Sequence, residues 1–169
     1  DDDKVKLAEA YPDVASAETN VLFGGAGNNF IFGGAGSDIL YAGDFAETTN
    51  YLFGDGGRIE YNEDNLLEVS RYDLFDEGGD DLIYGSVNDD KLYGGAGTDW
   101  IEGLGGDDEI YGGQGNDILI GGNGTDTIYG YDGADVIFGD TPAEPNMVIA
   151  GAGDTVGILP YDYLSSDYY

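Results

Sequence analysis

Residues 94–138 decide the fold of this chain, because they read as five consecutive nine-residue units: GGAGTDWIE, GLGGDDEIY, GGQGNDILI, GGNGTDTIY and GYDGADVIF. Glycine recurs at positions one, two and four, an acid at position six and an aliphatic residue at position eight. Two more units precede them in the same register, at residues 76–84 and 85–93. A tandem repeat of such short period predicts a solenoid in which each unit is one supersecondary element.

Further units extend the array at both ends: N-terminal repeats occupy residues 15–57, with residues 24–41 the better copies, and degenerate repeats occupy residues 139–158. Position six carries an oxygen in every side chain: Asn20, Asn29, Asp38, Asn50, Asp81, Asp90, Asp99, Asp108, Asp117, Asp126, Asp135 and Asn146. Position eight is always aliphatic: Leu22, Ile31, Leu40, Leu52, Ile83, Leu92, Ile101, Ile110, Leu119, Ile128, Ile137 and Val148. Positions seven to nine predict a short strand whose middle residue faces the core, and the glycines predict a turn. Two strands and two loops then form one coil of an all-β, right-handed, parallel β-roll.

The position-six column predicts metal sites. Loops two units apart stack on the same edge, about 4.8 Å apart, so their carboxylates face each other and repel. Calcium relieves this repulsion, since it accepts about six to eight oxygen ligands in flexible geometry, whereas magnesium demands octahedral geometry and zinc prefers nitrogen and sulfur. We expect about five such sites, between Asp81 and Asp99, Asp99 and Asp117, Asp117 and Asp135, Asp90 and Asp108, and Asp108 and Asp126.

Pairs that contain asparagine predict weaker sites, because they carry less charge. These pairs are Asp126 with Asn146, Asn20 with Asp38, and Asn29 with Asn50, and they bring the expected total to about five to eight ions. The alternative is that these aspartates only form turns, since Asp and Gly are ordinary turn residues. Seven contiguous units in one register favour the metal interpretation.

The units resemble the GGxGxDxUx nonapeptide of the RTX (repeats-in-toxin) family. The resemblance implies a β-roll that binds calcium, secreted by bacterial type I export or displayed on the cell surface, and folding outside the cell. It also implies that loop carbonyls complete each site, here from Gly94, Gly95, Ala96, Gly97, Gly103, Gly105, Gly112, Gly113, Gln114, Gly115, Gly121, Asn123, Gly130 and Asp132. The chain departs from this pattern at the four asparagines of position six and in residues 85–90, where only the first glycine remains.

Residues 58–75 interrupt the array. Two alternating stretches flank the turn-forming sequence at residues 62–65, which predicts a β-hairpin inserted into one loop. We interpret the hairpin as a tolerated insertion, with a lid or partner contact as the alternative. Residues 15–158 are predicted to form a single domain, preceded by a leader at 1–14 whose opening DDDK resembles an affinity tag, and followed by a tyrosine-rich tail or cap at 159–169.

Position nine is mostly aromatic and points away from the core. Tyr93, Tyr111 and Tyr129 are predicted to form a ladder on one sheet. Two interpretations remain open: the rings stabilise the sheet surface, or they form a binding face for a glycan or a protein.

Composition excludes several functions. The chain has 35 acidic and 5 basic residues and a formal net charge of -30, which disfavours nucleic acid and anionic membranes as partners. It has neither Cys nor His, and no apolar run is long enough to span a membrane. We predict no catalytic residues, since the repeat explains every obvious carboxylate pair. The expected function is a calcium-binding structural module of a larger secreted or surface protein, with adhesion through the aromatic face as the alternative.

Overall fold

The computed structural model describes residues 7–10, 18–43, 48–61, 67–71, 78–139, 147–151 and 153–158. In this part of the chain all regular elements are strands. They are β1 (Leu7–Ala10), β2 (Val21–Phe23), β3 (Phe30–Phe32), β4 (Ile39–Tyr41), β5 (Tyr51–Phe53), β6 (Gly57–Tyr61), β7 (Leu67–Arg71), β8 (Leu82–Ser86), β9 (Lys91–Ala96), β10 (Trp100–Gly105), β11 (Glu109–Gln114), β12 (Ile118–Asn123), β13 (Thr127–Asp132), β14 (Val136–Gly139), β15 (Met147–Ile149) and β16 (Thr155–Ile158).

Two parallel sheets form the roll. Successive strands alternate between a seven-stranded sheet, in the order β16-β14-β12-β10-β8-β4-β2, and a six-stranded sheet, in the order β15-β13-β11-β9-β5-β3. Pairing partners lie two units apart, as in Ile101 with Leu119 and Ile110 with Ile128. The predicted fold class is therefore confirmed.

The core is a column of position-eight side chains contributed by both sheets. Nine of these side chains, from Leu40 to Ile137, are fully buried together with Ala42, and Leu22, Ile31 and Val148 are partly buried where they pack against them. One aliphatic side chain per unit fills this interior, so the core is narrow. Narrow cores make a fold dependent on interactions at its edges.

The insertion forms the predicted β-hairpin, in which β6 and β7 pair antiparallel from Gly57↔Arg71 to Tyr61↔Leu67. The roll continues beneath it without a break, because β4 pairs directly with β8 and β5 with β9. Strand β1 pairs antiparallel with β6, which makes a three-stranded outer sheet. Residues 7–10 of the predicted leader thus lie in a strand.

The chain leaves the roll directly over two aromatic rings. A Cβ atom at Gly57 would lie 2.7 Å from the ring of Phe53 and 2.9 Å from the ring of Phe32, so only glycine fits there. Phe53 is 2% exposed and Tyr93 8% exposed, although position nine faces away from the core. Phe32, Phe53 and Tyr93, which lie in a row on the six-stranded sheet, therefore belong to a second, outer hydrophobic cluster, and Tyr111 and Tyr129 continue this aromatic row.

Candidate metal centre

The position-six side chains line both edges of the roll. The first edge carries the loops that precede strands of the seven-stranded sheet, and the second edge those that precede the six-stranded sheet. The eight predicted aspartates of this column are at most 1% exposed. The Oδ1 atom of each accepts a hydrogen bond from a backbone N–H one coil earlier, for example Asp99 N to Asp117 Oδ1 at 3.0 Å and Asp108 N to Asp126 Oδ1 at 3.0 Å. The same contact joins Asp81 to Asp99, Asp117 to Asp135, and Asp90 to Asp108.

The second carboxylate oxygen differs from the first. The Oδ2 atoms of Asp38, Asp81, Asp99, Asp108 and Asp135 are buried and have no hydrogen-bond partner in the protein. A buried acceptor without a partner costs about 1–3 kcal/mol, and more when it is charged. A recurrent set of such atoms in a native fold indicates that a ligand from outside the chain completes their coordination.

The Oδ2 atoms of the position-six aspartates face a small space beside the glycine at position one. A Cβ atom on Gly112 would lie 2.5 Å from Asp117 Oδ2 and 2.8 Å from the carbonyl oxygen of Gly130 in the next loop of that edge. A Cβ atom on Gly94 would likewise lie 2.5 Å from the carbonyl oxygen of Gly112. Carboxylate and carbonyl oxygens therefore converge on a space that the absent side chain leaves open.

The glycines serve two different purposes. Position one does not use a positive φ angle and is glycine because a Cβ atom there would meet the neighbouring carboxylate and carbonyl oxygens. Positions two and four adopt the left-handed region, as in Gly113 and Gly115 with φ of 125° and 126°. Leu104 and Tyr131 occupy position two with φ of 77° and 73°, and a left-handed conformation costs a non-glycine residue about 1–2 kcal/mol.

Burial disfavours the ionised form of the position-six carboxylates. Desolvation raises the pKa of Asp99 to about 8 and those of Asp81 and Asp108 to about 9. The hydrogen bond from the preceding loop opposes the rise, and the neighbouring carboxylates add to it. Burial also raises the pKa of Asp90 and Asp135. At neutral pH these edges are stable only if protons or cations neutralise them.

The donor set fits calcium. It consists of carboxylate and carbonyl oxygens, which are the ligands that calcium takes in flexible geometry. Within the described ranges, no three Asp, Glu, His or Cys side chains form a metal cluster, so backbone carbonyls must supply the remaining ligands. The stacked aspartates and the carbonyls around the position-one glycines would hold the ion. A bound calcium ion would supply the positive charge that neutralises two facing carboxylates.

The predicted loop residues lie on these edges as expected from the register. The carbonyls of Gln114 and Asp132 already accept hydrogen bonds from Gly97 and Gly115 of the preceding loops. A carbonyl oxygen has two lone pairs, so these two oxygens retain capacity for a further ligand. Asn146 lies outside the described residues.

The structure adds stacked pairs that the sequence did not predict. The Asp38 backbone N–H donates to Asp81 Oδ1 at 2.7 Å, because the roll closes beneath the insertion. The Asp135 backbone N–H donates to Asp154 Oδ1 at 3.1 Å. Asp154 was missed because it follows Gly153 directly, whereas the other units place one residue between the glycine of position four and the acid.

Asp55 is a further missed acid on the first edge. It lies where the chain leaves the roll, and its Oδ2 accepts a hydrogen bond from Ala96 N at 2.7 Å while its Oδ1 accepts one from Gly79 N at 3.4 Å. Desolvation raises its pKa to about 7. Its side chain thus links Gly79, in the segment that follows the insertion, to Ala96 in the next loop of that edge.

A second ladder runs along the exposed side of each edge at position five. There the side chain accepts a hydrogen bond from the loop one coil later, as in Thr98 N to Asp80 Oδ1 and Thr125 N to Asp107 Oδ1, both at 2.8 Å. Position-six bonds run in the opposite direction along the chain. Two stacked loops that have both bonds are therefore joined at position five and at position six, and the exposed position-five contact needs no cation.

The predicted tyrosine ladder is present but only partly exposed. The rings of Tyr93 and Tyr111 are 4.7 Å apart and those of Tyr111 and Tyr129 are 5.0 Å apart, all nearly parallel. Tyr131 extends the stack 5.8 Å from Tyr129. Tyr93 is buried in the outer cluster, which favours the interpretation that its ring stabilises the sheet surface.

The parallel roll and its oxygen-lined edges define a metal-binding β-roll module. The family model of the RTX calcium-binding nonapeptide repeat matches four times, at residues 14–46, 73–101, 93–128 and 111–141. These matches cover more than half of the chain, which therefore belongs to this calcium-binding repeat family. The repeat is a structural, non-catalytic type of module. No curated protein matches the chain. Within the described residues there is no helix long and apolar enough to cross a membrane.

Proposed function

We propose that this chain folds when several calcium ions bind between its stacked loops, and that it serves as the secretion-coupled structural module of a larger bacterial protein that is secreted or displayed on the surface. The observation that carries the proposal is the set of buried Oδ2 atoms without partners. Where calcium is scarce, the facing carboxylates oppose closure of the coils. Where calcium is abundant, its binding free energy becomes folding free energy.

Extracellular calcium modules bind at roughly 10⁻⁴–10⁻³ M, which suits a chain that stays open in the cytosol and closes outside. Several coupled sites on one roll would make the transition steep in calcium. The test is a calcium titration of the chelator-treated chain, followed by far-UV circular dichroism, with magnesium as the control ion. A spectrum that is the same in chelator and in millimolar calcium contradicts the proposal.

A pair of variants sharpens this test. Asp117→Asn removes one charge from two neighbouring sites and should raise the calcium midpoint. Asp107→Asn removes the same charge from the exposed ladder and keeps an acceptor for Thr125 N–H, so its midpoint should stay near that of the wild type. Equal midpoints for the two variants would mean that net charge, and not the stacked sites, controls folding.

A second candidate function is ligand binding by the exposed end of the aromatic row. Tyr111, Tyr129 and the 48% exposed Tyr131 form a stacked surface suited to a glycan or a protein side chain. Replacing Tyr111 and Tyr129 by Ser should abolish binding to a glycan array while calcium-induced folding persists. Glycan binding that survives both substitutions would leave the rings a structural role only.

A further inference from the structure

The second edge contains a loop pair that is already complete without a cation. Asn29 occupies position six there, and its Nδ2 lies 3.0 Å from Gly25 O, 2.9 Å from Gly27 O, 3.2 Å from Ala42 O and 2.8 Å from Asn50 Oδ1. These oxygens come from positions two and four of one loop and from positions one and six of the next. Loop carbonyls and a position-six oxygen are also the groups expected around the calcium sites proposed for the aspartate loops.

The Asn29 Nδ2 atom occupies the place that a carboxylate Oδ2 atom without a hydrogen-bond partner occupies in aspartate loops such as that of Asp99. A Cβ atom on Gly24 would lie 2.9 Å from Asn29 Nδ2, just as a Cβ atom on Gly94 would meet Asp99 Oδ2. At this place the aspartate loops have an acceptor facing acceptors, whereas the asparagine loop has a donor facing acceptors. The electrostatic reason for a cation is therefore absent.

The surrounding groups fix the orientation of the amide. Asn29 Oδ1 accepts a hydrogen bond from Gly25 N at 3.0 Å, and the four oxygens lie around Nδ2. Exchanging the two ends of the amide would place Oδ1 among four oxygens and Nδ2 against an N–H group. Only one orientation satisfies both sides.

The hydrogen-bonded column continues one loop further. Asn50 is fully buried, and its Nδ2 donates to Asp90 Oδ1 at 2.8 Å. Asp90 Oδ2 accepts hydrogen bonds from Ser86 N at 2.7 Å and Ser86 Oγ at 2.8 Å. Ser86 stands at position two, where the five units that follow have glycine, leucine or tyrosine. Both oxygens of Asp90 thus have protein partners.

We propose that the amides of Asn29 and Asn50 and the hydroxyl of Ser86 take the place of calcium between the first four loops of the second edge. Because Asp90 Oδ2 already has partners in Ser86, calcium sites on that edge then begin at the Asp108–Asp126 pair, while those on the first edge extend back to Asp38. The sequence predicts a weak calcium site between Asn29 and Asn50, whereas we now propose that this pair binds no calcium. This inference rests on the proposed calcium-dependent function of the other loops.

The test counts bound calcium in the full chain by native mass spectrometry at saturating calcium. Asn29→Asp should bind one more ion than the wild type, because it recreates an acceptor among acceptors. Asn28→Asp is the matched control: it adds the same charge one residue earlier, at position five, where the side chain accepts from Thr49 N. Its count should equal that of the wild type. Equal counts for the wild type and Asn29→Asp overturn the proposal.

A second measurement does not depend on the folding of a variant. Crystals of the wild type grown in calcium should show anomalous peaks between Asp99 and Asp117 and none between Asn29 and Asn50; a peak at the latter pair overturns the proposal. A wild type that holds no calcium anywhere contradicts the proposed function instead. The amide network is then assessed by hydrogen exchange of the Asn29 side-chain NH₂, and rapid exchange overturns it.

Discussion

Replacing Gly112 by alanine tests the central claim that an ion occupies the space beside each position-one glycine. The new Cβ atom would lie 2.5 Å from Asp117 Oδ2 and 2.8 Å from Gly130 O, distances below 3.0 Å that real Cβ atoms essentially never show. Both neighbours belong to the proposed site between the loops that end at Asp117 and Asp135. The substitution therefore adds volume to a closed edge and blocks one ion.

The two effects can be given magnitudes. Overpacking of this kind costs about 1–3 kcal/mol. Loss of one ion removes RT ln(1 + [Ca]/Kd), about 1.4 kcal/mol when calcium is about ten times Kd. The expected loss is about 2.5–4.5 kcal/mol, which lowers the Tm of a chain of this size by roughly 10 °C.

The assay is thermal unfolding in calcium combined with a count of bound ions by native mass spectrometry. Gly105→Ala is the control, because its Cβ would meet no atom closer than 3.7 Å and its φ angle is not in the left-handed region. Gly112→Ala should lose one ion and Gly105→Ala none. A Gly112→Ala chain with the full number of ions and the Tm of the control would refute the reasoning.

Two further predictions follow from backbone strain and from the raised pKa values. Leu104→Gly should raise the Tm in calcium by about 1–4 °C, because relief of the left-handed strain at φ 77° exceeds the entropic cost of glycine by about 0.5–1 kcal/mol. Leu104→Ala is the control, since alanine retains the strain. An equal gain in Tm for both variants in thermal unfolding would contradict this prediction. The calcium-free chain should lose structure as pH rises from 5 to 9, because folded pKa values of about 7 to 9, against 3.8 for the unfolded chain, mean that folding takes up protons. Circular dichroism of the metal-free chain checks the direction, and structure that increases with pH would show that the carboxylates are not buried.

The parts of the fold that repeat could be predicted from the sequence, because every coil imposes the same constraints. A single aliphatic residue fits between the sheets at Ile101 as at Ile110, and the same edge position must hold an oxygen at Asp99 as at Asp108. The register then gives the stacked pairs without any knowledge of the chain path between them. The β-hairpin followed from local alternation alone.

The features that escaped prediction depend on contacts that occur only once. Asp55 is a ligand-like acid only because the insertion leaves the roll beside it, and Asp154 lies in a shortened last loop. The burial of Tyr93 depends on the path of the chain after Phe53. The orientation of the Asn29 amide is set by four oxygens from two loops. From the sequence alone, this residue is interpreted as a weaker calcium ligand than aspartate. The structure is therefore most informative where the sequence departs from the repeat.

The pairing of β1 with β6 has a mechanical consequence. In the described part of the roll each inner strand pairs with the strands of the coils before and after it, with bonded partners 18 residues apart along the regular array. Tension applied at the C-terminal end would open one coil at a time and release roughly 60 Å of chain at each step. Tension that enters at residues 7–10 passes straight to residues 57–60 and bypasses the coils formed by residues 18–53. Under load, the two ends of this roll would yield by different routes.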